Sequence, residues 1–201
     1  MQITVLKETQ PGETRVALVP ESVKKLIALK ASVVHTVTYA VMGILAYSLL
    51  DYSGRYADPT VRNFMRQTDD LWVMVGPLFQ PIRGFLFGIA FYLLRDSLFG
   101  RRRGWLVMWA VLVIVGVLST FGPAPSSIEG MLYTILPLSF HLVGLPEVVL
   151  QTLMLAAILC YWVDHPERRW LTWVLVIVFV VVMTFPILGV LATNGVIGGG
   201  Q

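Results

Sequence analysis

WLTWVLVIVFVVVMTFPILGVLA, Trp170 to Ala192, holds no charged side chain from end to end. A helix rises 1.5 Å per residue, so a hydrocarbon core of roughly 30 Å needs about 20 residues, and this stretch meets that length. Its apolar character is continuous. A transmembrane β-strand would instead alternate over about ten residues, which excludes a barrel. Working outward, comparable apolar runs occupy Ser32 to Leu50, Leu71 to Leu94, Trp105 to Phe121, and a longer segment from Leu132 to Val163. The expected fold is therefore all-α, a polytopic integral membrane bundle of about five transmembrane helices.

Composition agrees. Of 201 residues, 56% are hydrophobic and only 13% charged, with a mean hydropathy of +0.74. A soluble domain carries about a quarter charged residues, and so little charge does not cover a water-facing surface. The net charge of +3 sits in short segments between the apolar runs, with no basic stripe interleaved with aromatics, so nucleic acid is not an expected partner. Cys160 is the only cysteine and lies in an apolar run, which leaves packing as its expected role. Residues 1–30 lack the basic start, apolar centre and cleavage site of a removable leader, so the first span is expected to direct insertion.

The fourth segment is too long for one crossing. Pro137, Gly144 and Pro146 interrupt its first half, which predicts a short interfacial or partly re-entrant helix over Met131 to Val143 and a true span from Leu145. Orientation follows from the loops. Arg95, Arg101, Arg102 and Arg103 fill the second loop, and Arg168 and Arg169 the fourth, while Gly122 to Gly130 has neither Lys nor Arg. The second and fourth loops are therefore expected in the cytoplasm of a bacterial inner membrane, with the N-terminus inside and the C-terminus outside. Arg55, Arg62 and Arg66 in the first loop run against this rule, beside Asp51, Asp58, Asp69 and Asp70. Six tryptophans, Trp72, Trp105, Trp109, Trp162, Trp170 and Trp173, lie near span ends and read as an interfacial belt.

The chain divides by character into a soluble appendage (residues 1–30), a transmembrane helical domain (31–192) and a Gly-rich tail (193–201). The appendage opens with an alternating stretch from Ile3 to Leu6, turns at Pro11-Gly12, and begins an amphipathic helix near Pro20. Its string VLKETQPGETRVALVPESVKKLIAL resembles the N-terminus of the alanine dehydrogenase and proton-translocating nicotinamide nucleotide transhydrogenase alpha-subunit family. Lys7, Glu8, Glu13, Arg15, Val16, Ala17, Pro20 and Val23 carry the resemblance, which stops at Lys30. In the dehydrogenase branch it implies a substrate-pocket role for Arg15. No G-x-G-x-x-G turn follows a strand pattern anywhere, so a dinucleotide site is not expected in this polypeptide by itself. From His35 to Ala192 the chain resembles bacterial polytopic membrane proteins of unassigned activity, through TDDLWVMVGPLFQPIRGFLFG and GWLVMWAVLVIVGVLSTFGPAPSSIEGMLYT.

Arg83 lies near the middle of the second span, where an arginine costs roughly 2.5 to 3.5 kcal/mol and requires compensation. Gln80 stands one turn before it, Pro77 and Pro81 loosen the helix, and Gly84 and Gly88 form a small-xxx-small seam for a neighbouring helix. Glu147, extended by Gln151 one turn on, is the expected counter-charge in a polar intramembrane centre. In the outer loop, Ser126 or Ser127 is expected to cap the helix that follows, near Glu129; His141 would be the only base for a serine hydrolase. Arg95 and Arg101 to Arg103 are expected to meet lipid headgroups. His35 and His141 differ in expected depth by more than about 10 Å, which excludes one shared haem iron.

The sequence thus points to a non-enzymatic integral membrane protein, transporter-like or a subunit of a membrane complex. No catalytic residue, cofactor or metal is expected; the expected partners are lipid and a membrane protein or second copy. The alternative is a truncated or fused transhydrogenase alpha-type subunit.

Overall fold

The computed structural model describes residues 20–118 and 122–193, and all regular structure among them is helical. The strand-like opening at Ile3 to Leu6, Arg15, and residues 194–201 of the tail lie outside the described residues. Helix α1 spans Pro20–Leu49, starting at a proline whose missing N–H costs nothing in a first turn, with Glu21 at the positive end of the dipole. It ends where Asp51 turns left-handed at φ 47° and caps α2, Tyr52–Ala57. Asp58 then caps α3, Pro59–Arg62, and Asp70 caps α4, Leu71–Met74.

A 3₁₀ turn over Gly76–Phe79 separates α4 from α5, Gln80–Leu93. The second expected span is therefore interrupted, because Pro77 and Pro81 each remove a backbone donor. Next come α6, Arg95–Leu98, and α7, Gly104–Leu118. After α8, Ile128–Tyr133, α9 runs unbroken over Leu138–Asp164 and α10 over Arg169–Thr193. By length and composition α1, α9 and α10 are each able to cross a membrane, and α7 is a shorter apolar helix.

Two expected boundaries move. The division at residue 30/31 falls inside α1, where Ile27 and Ala28 are each 1% exposed, so residues 20–30 belong to the bundle. In the fourth segment the chain breaks at Thr134 to Pro137, ahead of α9, while Pro146 stays within the helix. Pro137, as N-cap, needs no intrahelical donor, and the Thr134 hydroxyl takes up the Gly130 carbonyl at 2.7 Å.

Helix α1 is the hub, packed against α5, α9 and α10, with α7 laid along α9. Its contact with α5 is antiparallel and backbone-close. A Cβ on Gly88 would stand 2.4 Å from Ala28 Cα, and one on Gly84 2.7 Å from Ser32 Cα, so only glycine fits the expected seam. The densest apolar packing gathers where α1 begins: Ile27, Ala31 and Val34 meet Phe91, Leu98, Phe99, Met108, Leu159 and Val163. Toward the other end of α1 the helices part around a cleft.

Burial runs against hydropathy. α10 exposes Trp173, Ile177, Val180, Val181 and Phe185, whereas the middle of α1 buries Ser32, His35, Thr36 and Thr38. The three hydroxyls among them are bonded: Ser32 Oγ donates to the Pro81 carbonyl at 2.7 Å, Thr36 Oγ1 to Ser32 O at 2.8 Å, and Thr38 Oγ1 to His35 O at 3.1 Å. The tryptophan belt is only partial. Trp72, Trp105, Trp170 and Trp173 are exposed, but Trp162 is 4% exposed, donates to Thr172 Oγ1 and accepts Lys30 Nζ on its carbonyl at 2.8 Å. Trp109 is half-buried and donates to Val149 O.

Candidate functional site

The cleft at the open end has a volume of about 810 Å³. Its walls come from the second half of α1 (Tyr39, Tyr47), from α2 (Tyr52, Tyr56), from α4 (Trp72) and from α9 (Phe140, Glu147). α9 supplies Glu147 because its helix passes Pro146 unbroken and turns that side chain toward α2. The Tyr52 hydroxyl donates to Glu147 Oε2 in a short hydrogen bond. Tyr52 meets Tyr56 edge to face at 5.5 Å, and Tyr56 meets Phe140 at 5.9 Å, so the carboxylate sits in an aromatic surround. Burial, and then the bond to Glu147, push the Tyr52 phenol well above its ordinary range, and it therefore remains a donor. Tyr56 is raised likewise, by burial and then by the Glu147 charge.

Two arginines reach the mouth, and each has a partner. Arg55 Nε donates to Leu50 O at 2.6 Å, and Arg66 pairs with Asp70 at 3.0 Å while lying over the Trp72 ring at 6.0 Å. The Trp72 N–H, and then Arg66, hold the Asp70 carboxyl below the usual carboxylate range. Glu147 has no cationic partner within ion-pair distance among the described residues.

The expected Arg83–Glu147 pair does not form. Arg83 is exposed, its guanidinium carbon 5.6 Å from the Phe87 ring centre, and no described carboxylate lies within ion-pair distance. The buried face of α5 is Gln80, Gly84, Gly88 and Phe91; Arg83 is off that stripe, because the face is set by the glycines that touch α1. Gln80 points inward instead. Its Oε1 is 3.0 Å from His35 Nε2 and its Nε2 donates to Gly76 O at 3.3 Å, so the histidine Nε2 must be the donor. His35 Nδ1 is left buried with no partner. Gln151 is half-buried on α9.

In the outer loop Ser127 caps α8 as expected, accepting from Gly130 N at 2.9 Å. Glu129 stands in the same first turn, where the dipole favours it. Ser126 has φ 62°, and its N–H donates to His141 Nδ1 at 3.0 Å. Nδ1 is thus an acceptor, and Nε2, 3.3 Å from Thr134 Oγ1, carries the proton. Both ring nitrogens of this buried histidine are engaged in fixing the loop, which removes it as a base for either serine.

Sequence reasoning missed Tyr52, Tyr56 and His35–Gln80. Tyrosines in a loop and a histidine among threonines have no spacing that announces a partner on another helix. Among the described residues no cluster of His, Cys, Asp and Glu has the geometry to hold a metal ion. No family model, curated protein or solved structure matches this chain.

Proposed function

We propose that this chain is a multi-pass membrane protein of about five crossings, without catalytic function, whose open end binds a small ligand bearing an ammonium group. One observation carries the binding site: a half-buried carboxylate, Glu147, ringed by tyrosines and Phe140, with a hydroxyl but no cation beside it. A carboxylate withdrawn from water needs a positive partner, and aromatic faces add attraction for an organic cation. The crossings are α1, α4 with α5, α7, α9 and α10. Lys24, Lys25, Arg95, Arg101 to Arg103, Arg168 and Arg169 share the closed end, which supports a cytoplasmic placement of that end and an outer placement of the cleft, although Arg55 and Arg66 stand at the cleft. Such a site suits a transporter-like protein or the ligand-holding subunit of a membrane complex. Arg83, exposed partway along the bundle, calls for a membrane-protein partner or second copy with an acceptor facing it.

The test compares choline with its uncharged isostere 3,3-dimethylbutan-1-ol, by tryptophan fluorescence of detergent-purified protein, with Trp72→Phe identifying the reporter. Choline should give a saturable change, the isostere none, and Glu147→Gln should abolish the response. An equal response to both, or one that survives Glu147→Gln, overturns the reading. Saturable binding of NAD or NADP would replace it with the transhydrogenase-part reading.

A further inference from the structure

A second cavity, of about 560 Å³, lies at the opposite, closed end of the bundle, between the α6–α7 loop, the first turn of α7 and the last turns of α9. Its lining includes Arg101, Arg102, Trp105, Tyr161, Asp164 and His165. The loop that presents the arginines is firmly placed. Leu98 and Phe99 are 2% and 3% exposed, and Cys160 Sγ lies 3.8 Å from the Leu98 carbonyl. Gly100 adopts φ 69° and donates its N–H to Asp164 Oδ1 at 2.8 Å. A Cβ on Gly104 would fall 1.7 Å from Leu98 O, so the chain doubles back here only because the residue is glycine.

Two arginines are thereby placed in the lining of a cavity, with no carboxylate in ion-pair distance of either among the described residues. Arg101 uses only its Nε, which donates to Asp96 O at 3.2 Å. The guanidinium fork matches phosphate oxygens. The walls have the amphipathic character of a headgroup boundary: Trp105 is 38% and Tyr161 42% exposed, and Tyr161 stacks on His165 at 4.2 Å. His165 Nδ1 donates to Tyr161 O at 2.9 Å, which leaves Nε2 as the remaining polar atom of the ring. Asp164 is the one acidic group in the lining. Because Gly100 satisfies one of its oxygens, the other is suited to a donor carried by the bound group.

We infer that this cavity is a phospholipid headgroup site, taking the phosphodiester on Arg101 and Arg102 and a headgroup hydroxyl at Asp164, as phosphatidylglycerol would offer. Phosphatidylmethanol has the same phosphodiester but neither a hydroxyl donor nor a cation for Asp164. Arg103, Arg168 and Arg169 at the same end add a general attraction for anionic lipid, without lining the cavity. Arg95, expected from sequence to share the role, is turned away onto the Tyr92 ring, 4.6 Å from its centre.

The inference rests on the membrane placement proposed above, and the experiment separates the two. Protein purified in detergent is titrated with phosphatidylglycerol, phosphatidylmethanol or inorganic phosphate and followed by native mass spectrometry and thermal shift. Phosphatidylglycerol should remain bound through detergent removal and raise the melting temperature saturably. Arg101→Gln with Arg102→Gln should weaken that binding at least about tenfold, a loss of about 1.4 kcal/mol, while Arg103→Gln leaves it within about twofold. These side chains are exposed, so the variants should fold; the wild-type comparison of lipids decides the matter if they do not. Equal retention of phosphatidylmethanol overturns the site, as does an undiminished response in the double variant. Protection by inorganic phosphate alone would assign the arginines to a free anion and overturn the lipid. Protein that stays soluble and monodisperse without detergent would overturn the membrane placement itself.

Discussion

Helix α1 and helix α10 are of similar length, yet they divide the work of the bundle in opposite ways. α10 is the more apolar and presents Trp173, Ile177, Val180 and Phe185 outward. α1 carries serine, histidine and threonines, and is buried through its middle. In water this arrangement would be inverted, since burying apolar area at roughly 25 cal/mol per Å² would draw α10 inward. In lipid there is no such force between helices; close backbone packing and hydrogen bonds decide which helix takes the centre. α1 has both, through the Ala28 and Ser32 contacts with Gly88 and Gly84 and through His35–Gln80.

The largest effect expected from this contrast is on α10. Ile177→Arg should cost about 2.5 to 3.5 kcal/mol of insertion free energy, since in the proposed membrane placement an arginine there would face hydrocarbon. Membrane-integrated protein in a flotation assay should fall sharply, and normal integration would show that this face meets water or a partner. Next comes the α1–α5 seam. Gly88→Leu should destabilise by about 1 to 3 kcal/mol or more through overpacking, whereas Gly189→Ala on α10, whose nearest neighbour would be Met74 Cε at 3.8 Å, should be neutral. Equal melting temperatures in detergent for the two variants would remove the special status of the seam.

Hydrogen bonding sharpens the same contrast more finely. Gln80→Leu should cost about 1 to 3 kcal/mol, because it strips from a histidine that is 3% exposed the only ring hydrogen-bond partner among the described residues. His35→Leu with Gln80→Leu should recover most of that loss. Thr184→Val on exposed α10 should stay within about 0.5 kcal/mol. A neutral Gln80→Leu would mean that polar burial contributes nothing to the central place of α1. The smallest effect concerns Arg83 and Glu147. As the two are not paired, Arg83→Ala and Glu147→Ala should add to within about 0.5 kcal/mol in a double-mutant cycle; a coupling well above that would restore the pair expected from sequence.

Some of these features are legible in the sequence alone. The apolar run at Trp170, the Gly84–Gly88 seam and the Ser127 cap are local signals, fixed by length, by small-residue spacing and by residues next to a helix start. Others are not. Gln80 and Arg83, one turn apart, read as a single polar face; the buried register 80, 84, 88, 91 took one and left the other outside. Which face of α5 turned inward depended on where glycine met Ala28, a fact about two helices at once.

Sequence by itself determined that this chain is helical and too apolar for a water-facing surface, because continuous hydrophobic length and scarce charge need no knowledge of neighbours. Tertiary structure alone decided which helix is central, that the helix expected near Pro20 runs on unbroken to Leu49 and carries Ile27 and Ala28 into the core, and that Glu147 meets Tyr52 rather than Arg83. Those outcomes follow from contacts between segments far apart in the chain, where a difference of a fraction of a helical turn sets whether a side chain enters the bundle or leaves it.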